Sequence, residues 1–287
     1  MNRLLEDLLK VMTLERVELD LFRGESRDIG SPQVFGGQVL GQALVAAAAT
    51  VDVGRSVHSL HAYFLRRGDC NAPIVYEVDR ARDGKHFAIR RVVAIQHGEQ
   101  IFNMSASFQS PEPGFDHQSP MPAVAPPETL ADGESYYRAA LDALPERLHR
   151  LLELKRPFEF RPVEAPNILN PGRQAPIRHV WFRAVDRLPD DEALHRSLLA
   201  YVSDYSLLET AMMPHGLSFA SDGLVMASID HAMWFHRAVR VDDWLLYATD
   251  SPSASGARGF ARGKIFATDG RLVASTCQEG LMRPVVR

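Results

Sequence analysis

Asp204, Ser228 and Gln278 are three polar side chains set among apolar neighbours in the second half of a 287-residue chain, each able to hold or activate a water. Asp204 lies in Leu198-Leu199-Ala200-Tyr201-Val202-Ser203-Asp204-Tyr205-Ser206-Leu207-Leu208, where 198, 201, 202, 205 and 208 predict the apolar face of a helix. In the middle of such a helix a carboxylate serves neither as a cap nor for the dipole. Apolar neighbours desolvate it, raising its pKa and sharpening it as a general base; the alternative is an idle, solvated acid. Ser228 precedes a strand-like run, residues 229–236, and its hydroxyl can hold a water or satisfy local backbone. No Gly-x-Ser-x-Gly surrounds it, which argues against a serine hydrolase. Gln278 follows Ala274-Ser275-Thr276-Cys277 on the last predicted strand. Turned inward, its amide needs partners, because an unpaired buried amide is costly. His58, His61, His231 and His236 show no metal-ligand spacing. His58 is the runner-up base, since histidine titrates near neutrality. Gly36-Gly37, at a predicted helix start, offers either N–H groups to an anion or close packing.

The elements that must position these residues read as a duplication. Residues 82–95, a turn at Gly98 and residues 101–108 resemble residues 253–267, a turn at Gly270 and residues 272–279. Setting Gly98 on Gly270 places Ala106 opposite Gln278, so one copy has gained a polar group. The first half reads as a helix over 2–17, a strand and turn at 22–26, and a helix opening at Ser31-Pro32 and running through Ala49. That Ala-rich helix is apolar nearly all round and should be buried. Strands follow at 57–65, 74–82, 86–96 and 100–109. Residues 110–127, dense in proline, form a linker. A helix at 136–154 and a return to strand over 156–176 complete the connector. The second half repeats the layout: a strand at 179–184, a helix at 194–213 started by Pro189-Asp190-Asp191-Glu192, and strands at 224–235, 244–250, 256–268 and 271–282. Helix followed by hairpin-linked strands predicts an α+β fold. Its units are expected at 1–120 and 176–287, with a connector at 121–175.

Hydrophobic residues at 46% and charged residues at 24% fit an ordinary globular chain. A net charge of −4 without a basic stripe argues against nucleic-acid binding. Cys70 and Cys277 give neither a disulfide framework nor a metal set, which fits a reducing cytoplasm. The amphipathic, acidic N-terminus is no signal peptide, and the small-apolar run 43–49 is too short to span a bilayer. Val285-Val286-Arg287 is no peroxisomal or reticulum address.

Several long stretches together resemble the acyl-CoA thioesterase II family: 21–24, 34–43, 57–66, 229–237, 243–247, 253–259 and 273–280. The resemblance covers nearly the whole chain and weakens from about Pro122 to Pro176. It implies a double hotdog, two repeats each with a long helix wrapped by an antiparallel β-sheet. It implies hydrolysis of fatty acyl-CoA, of medium to long and broad chain length, by direct attack of an activated water. The family's aspartate and glutamine fall on Asp204 and Gln278. Its third member, usually threonine, falls on Ser228, which keeps the hydroxyl and loses a methyl. No cofactor and no metal are implied, and assembly as a homodimer or homotetramer is expected. The competing readings are a hotdog hydratase or dehydratase with His58 as base, and a non-catalytic acyl-CoA binding protein.

Overall fold

A computed structural model describes residues 1–31 and 33–285; Pro32 of the predicted helix opening and Val286 and Arg287 of the C-terminal reading lie outside them. The first half holds α1 (Arg3–Met12), β1 (Glu15–Glu18), β2 (Leu21–Gly24), α2 (Gly36–Ala48), β3 (Ser56–Phe64), β4 (Ile74–Asp83), β5 (Phe87–Gln96) and β6 (Glu99–Gln109). The connector holds α3 (Gly133–Ala140), α4 (Glu146–Glu153) and β7 (Phe158–Pro162). The second half holds β8 (Ile177–Ala184), α5 (Glu192–Ser203), α6 (Glu209–Met212), β9 (Leu224–Ser228), β10 (Asp230–Phe235), β11 (Leu245–Ser255), β12 (Arg258–Ala267) and β13 (Leu272–Pro284).

Among the described residues these strands form one sheet in the order β1-β2-β4-β5-β6-β3-β10-β13-β12-β11-β8-β7, with β9 also on β13. The order β2-β4-β5-β6-β3 is mirrored by β8-β11-β12-β13-β10, so the repeated sequence is a repeated topology. The halves join where β10 runs antiparallel to β3, His231 opposite Ala62. The β5–β6 and β12–β13 hairpins turn at Gly98 (φ +77°) and Gly270 (φ +86°), a left-handed conformation that glycine adopts without a Cβ clash. Beyond those turns Met104, Ala106 and Phe108 are buried at alternate positions, as are Thr276, Gln278 and Gly280. Gln278, which the repeat sets opposite Ala106, therefore faces inward as Ala106 does.

Helices α2 and α5 pack against each other. Leu40, Leu44, Leu198 and Leu199 are almost wholly buried, each contributing roughly 1.5–3 kcal/mol of transfer energy. The burial of α2 extends round most of its circumference, as its composition predicts.

Several boundaries differ from expectation for physical reasons. Helix α1 stops at Met12 rather than 17, because its apolar spacing ends there and Glu15–Glu18 pairs with β2. Helix α2 opens at Gly36 rather than Ser31, since the Val34 N–H is already committed to the Gly68 carbonyl. The helix expected over 136–154 divides into α3 and α4 around Pro145, which lacks the N–H a continuous helix needs. Only Phe158–Pro162 of residues 156–176 forms a strand. Two further breaks, within 194–213 and within 224–235, fall at the polar trio.

Candidate active site

The helix expected through 194–213 ends at Ser203, so Asp204 is the C-cap of α5 and not a mid-helix residue. Tertiary partners impose the break. The Tyr247 hydroxyl donates to the Ser203 carbonyl at 3.0 Å, and Ser203 Oγ donates to the Ala200 carbonyl at 2.9 Å. His231 Nε2 lies 2.9 Å from the same Ser203 Oγ. These contacts satisfy carbonyls that a helix end leaves open. Two residues past Asp204 the chain turns away through Ser206 at φ +63°.

Ser228 arrives by another irregularity. It pairs with Gly280, whereas Ala232 pairs with Cys277, so the chain slips one residue against β13 between them. Such a bulge re-aims a side chain. Gln278, 1% exposed, points inward from β13. Its Nε2 donates to Asp204 Oδ1 at 2.6 Å and to Ser228 Oγ at 3.0 Å, and Ser228 Oγ donates to Asp204 Oδ1 at 3.3 Å. The three residues singled out in the sequence thus meet on one carboxylate oxygen. Gln278 Oε1 is buried and has no partner among the described residues.

The first half supplies the opposite wall. The Gly37 N–H, in the first turn of α2, faces the Asp204 carboxylate and favours its charged form. A Cβ on Gly36 would stand 2.7 Å from Asp204 Oδ2, and one on Gly37 would overlap the Tyr201 carbonyl oxygen. Gly36-Gly37 therefore serves both open readings at once: helices pack closely there, and an anion, the Asp204 carboxylate, is received. Burial pushes Asp204 up to about 6; hydrogen bonds from Gln278 and Ser228, together with the Gly37 N–H, oppose that rise.

The position facing each repeat residue explains why only one half carries the trio. Ala106 faces Arg90, whose guanidinium donates to Thr50 Oγ1 at 2.8 Å, the Thr50 carbonyl at 3.0 Å and Asp83 at 2.6 Å. That cation closes the end of α2. Gln278 faces Ala261 instead, and the end of α5 is left to Asp204. Nothing in the sequence points to Arg90 or Tyr247, because each acts on a partner distant along the chain.

The histidines are fixed elsewhere. His58 Nε2 lies 2.8 Å from Ser107 Oγ, and its ring meets Phe87 edge-on. His236 bonds Ser275, and His61 packs on Trp234. Burial lowers His231 to about 4, so it is neutral at pH 7. Among the described residues no group of three or more His, Cys, Asp or Glu is arranged to hold a metal ion.

A cleft of about 240 Å³ is lined by Gly36 and by Ser228 of the trio. Val39, Phe64 and Phe102 line it, and it leads out to Arg66 and Arg67.

A family model described as acyl-CoA thioesterase matches residues 148–281, and one described as acyl-CoA thioesterase N-terminal domain matches residues 23–109. Acyl-CoA thioesterase 2 of Haemophilus influenzae is 42% identical over 283 residues, 99% of each chain. The chain belongs to the acyl-CoA thioesterase family. The crystal structure of an acyl-CoA thioesterase II from Mycobacterium marinum superposes on this thioesterase with a TM-score of 0.78 at 43% identity, covering 97% of each chain. A hot dog fold protein from Alicyclobacillus acidocaldarius, 18% identical, gives the same TM-score over 98% of this chain and 99% of that one, which bears on fold alone. The mirrored sheet with its two packed helices is the α+β double hotdog. As a thioesterase the chain is a hydrolase, and neither the hydratase nor the binding-protein reading is favoured.

Proposed function

We propose that this thioesterase hydrolyses fatty acyl-CoA of medium to long chain by direct attack of a water activated at Asp204, Ser228 and Gln278. The observation that carries the reading is the convergence of Ser228 and Gln278 on Asp204 Oδ1, with Gln278 Oε1 left over to accept a hydrogen from water. Asp204 takes the second hydrogen as a proton while the oxygen attacks the thioester carbonyl. The tetrahedral intermediate expels CoA as thiolate, and the Asp204 proton returns to the leaving sulfur. Holding the water between two fixed acceptors removes much of the entropic cost of attack. The developing oxyanion is directed to the first turn of α2, whose dipole favours negative charge.

Free-thiol release from a series of acyl-CoAs, run in H₂¹⁸O, tests the scheme. Single-turnover hydrolysis should place one ¹⁸O in the released acid, with no burst of CoA before steady state. A stoichiometric burst with an acylated Asp204 would make that residue a nucleophile, and binding without turnover would leave a binding protein.

The pH dependence follows from the raised carboxyl. The base must be ionised, so kcat/KM should fall as pH drops through about 6 and level off above 7. A limb near pH 4 would mean that burial does not govern the base.

Ser228 orients Asp204 and Gln278 through its hydroxyl alone. Ser228→Thr is expected to keep activity within a few-fold, while Ser228→Ala loses roughly ten-fold in kcat, the scale of one hydrogen bond. Equal kcat values for Ser228→Ala and wild type would remove the hydroxyl from the scheme.

A cytoplasmic homodimer or homotetramer is proposed as well. Cys70 and Cys277 are free thiols, and no helix among the described residues is long and apolar enough to cross a membrane. Exposed Tyr63, Phe87 and Ile177 give the sheet apolar points for association.

A further inference from the structure

The cleft beside Gly36 and Ser228 has only two charged residues in its lining, Arg66 and Arg67, in a chain whose net charge is −4. The two arginines differ. Arg66 is committed, with Nε 2.9 Å from Glu99 and Nη1 donating to the Gln100 carbonyl at 2.8 Å. Arg67 is exposed and makes no hydrogen bond or ion pair among the described residues. Its backbone is nevertheless clamped on both sides. The N–H groups of Leu65 and Arg66 donate to the Ile101 carbonyl, the Gly68 carbonyl accepts from Val34, and the Asp69 N–H donates to Gln96 Oε1. A free guanidinium on a fixed loop is preorganised for a ligand.

We propose that this cleft takes the CoA arm of the substrate, with the Arg67 guanidinium on a phosphate oxygen; the assignment rests on the hydrolytic site described above. The thioester carbon must reach Ser228 in the cleft wall, whose hydroxyl is bonded to Asp204. The pantetheine chain then runs outward past Val39, Phe64 and Phe102, and the phosphates emerge where the guanidinium waits. The planar fork of arginine matches phosphate geometry. A second basic recess, lined by Arg27, Lys155 and Arg156, touches Tyr205 but none of the trio. It also contains Asp28, and Arg156 there is spent on the rings of Tyr137 and Tyr205.

Decanoyl-CoA and S-decanoyl-pantetheine, which keeps the thioester and the arm but lacks every phosphate, separate the possibilities. In Arg67→Ala, KM for decanoyl-CoA should rise about ten-fold with kcat within two-fold, while the rate on S-decanoyl-pantetheine stays unchanged. Arg67→Lys should recover part of the loss. Added salt should raise the wild-type KM for decanoyl-CoA and leave the Arg67→Ala value nearly flat. Equal effects on both substrates, or none on either, would overturn the assignment, as would the same discrimination arising from Arg156→Ala instead. The hydrolytic site is tested separately: if Asp204→Asn left S-decanoyl-pantetheine turnover intact, the trio would be dismissed whatever Arg67 did.

Discussion

Asp204→Asn should fold and bind acyl-CoA while losing two to four orders of magnitude in kcat, the range for removal of a general base. The amide fills the same space at the end of α5 and still accepts from Gln278 and Ser228, but it takes no proton from water. KM should change little. The residual rate should also lose its acidic limb, because the group that titrates near 6 is gone. Stability provides an independent check of the same residue. A carboxyl whose pKa is raised from 3.8 to about 6 binds its proton more tightly in the folded state. Its contribution is therefore fully present below the unfolded value and is lost as pH rises through 6. Relative to Asp204→Asn, wild type should gain up to about 3 kcal/mol between pH 7 and pH 4 in denaturant titrations. An Asn variant with wild-type turnover would place the acid outside the chemistry, and parallel stability curves for the two proteins would mean that burial does not raise its pKa.

Gly37→Ala should be the most damaging small substitution in the chain. The added Cβ falls on the Tyr201 carbonyl oxygen, with the Phe35 ring edge 2.5 Å away. A ring can rotate, but a helix carbonyl cannot retreat without moving α5. Alanine in place of glycine favours a helix by about 1 kcal/mol. Overpacking against backbone costs about 3 kcal/mol or more, so the clash wins. A fall in Tm of roughly 5–10 °C is expected by calorimetry. Turnover should fall as well at temperatures where the variant is folded, since Gly37 also presents its N–H to Asp204. Unchanged melting and turnover would mean that α2 and α5 do not approach so closely in solution.

Much of this arrangement is legible in the amino-acid sequence. Alternating apolar residues and paired glycine turns are local signals, so the hairpins and their duplication could be read directly. The Ala106–Gln278 correspondence rests on counting from those turns; the sequence leaves open whether Gln278 faces inward or outward, and in the structure it is buried. Asp204 stands out in the sequence as an acid out of place, but the apolar spacing sets it in mid-helix rather than at the helix end. The apolar spacing continues through Tyr205 and Leu208, so periodicity sees one long helix. The break comes from Tyr247, more than forty residues away, and from the left-handed Ser206. The slip that aims Ser228 was equally hidden, because one extra residue in a strand changes register without changing composition. Gly36-Gly37 showed itself only as an ambiguity, which the nearness of Asp204 resolved.

Closure of the α2 end by Arg90 bears on how such a duplicated protein can evolve. Once one copy spends its helix end on a structural cation, it no longer has to conserve an acid there, and it contributes the opposite helix start instead. The acid, hydroxyl and amide come from one copy, and the N–H that receives the acid comes from the other. The two copies have become complementary parts rather than spares. The proline-rich stretch between them keeps the acid and that N–H in one chain.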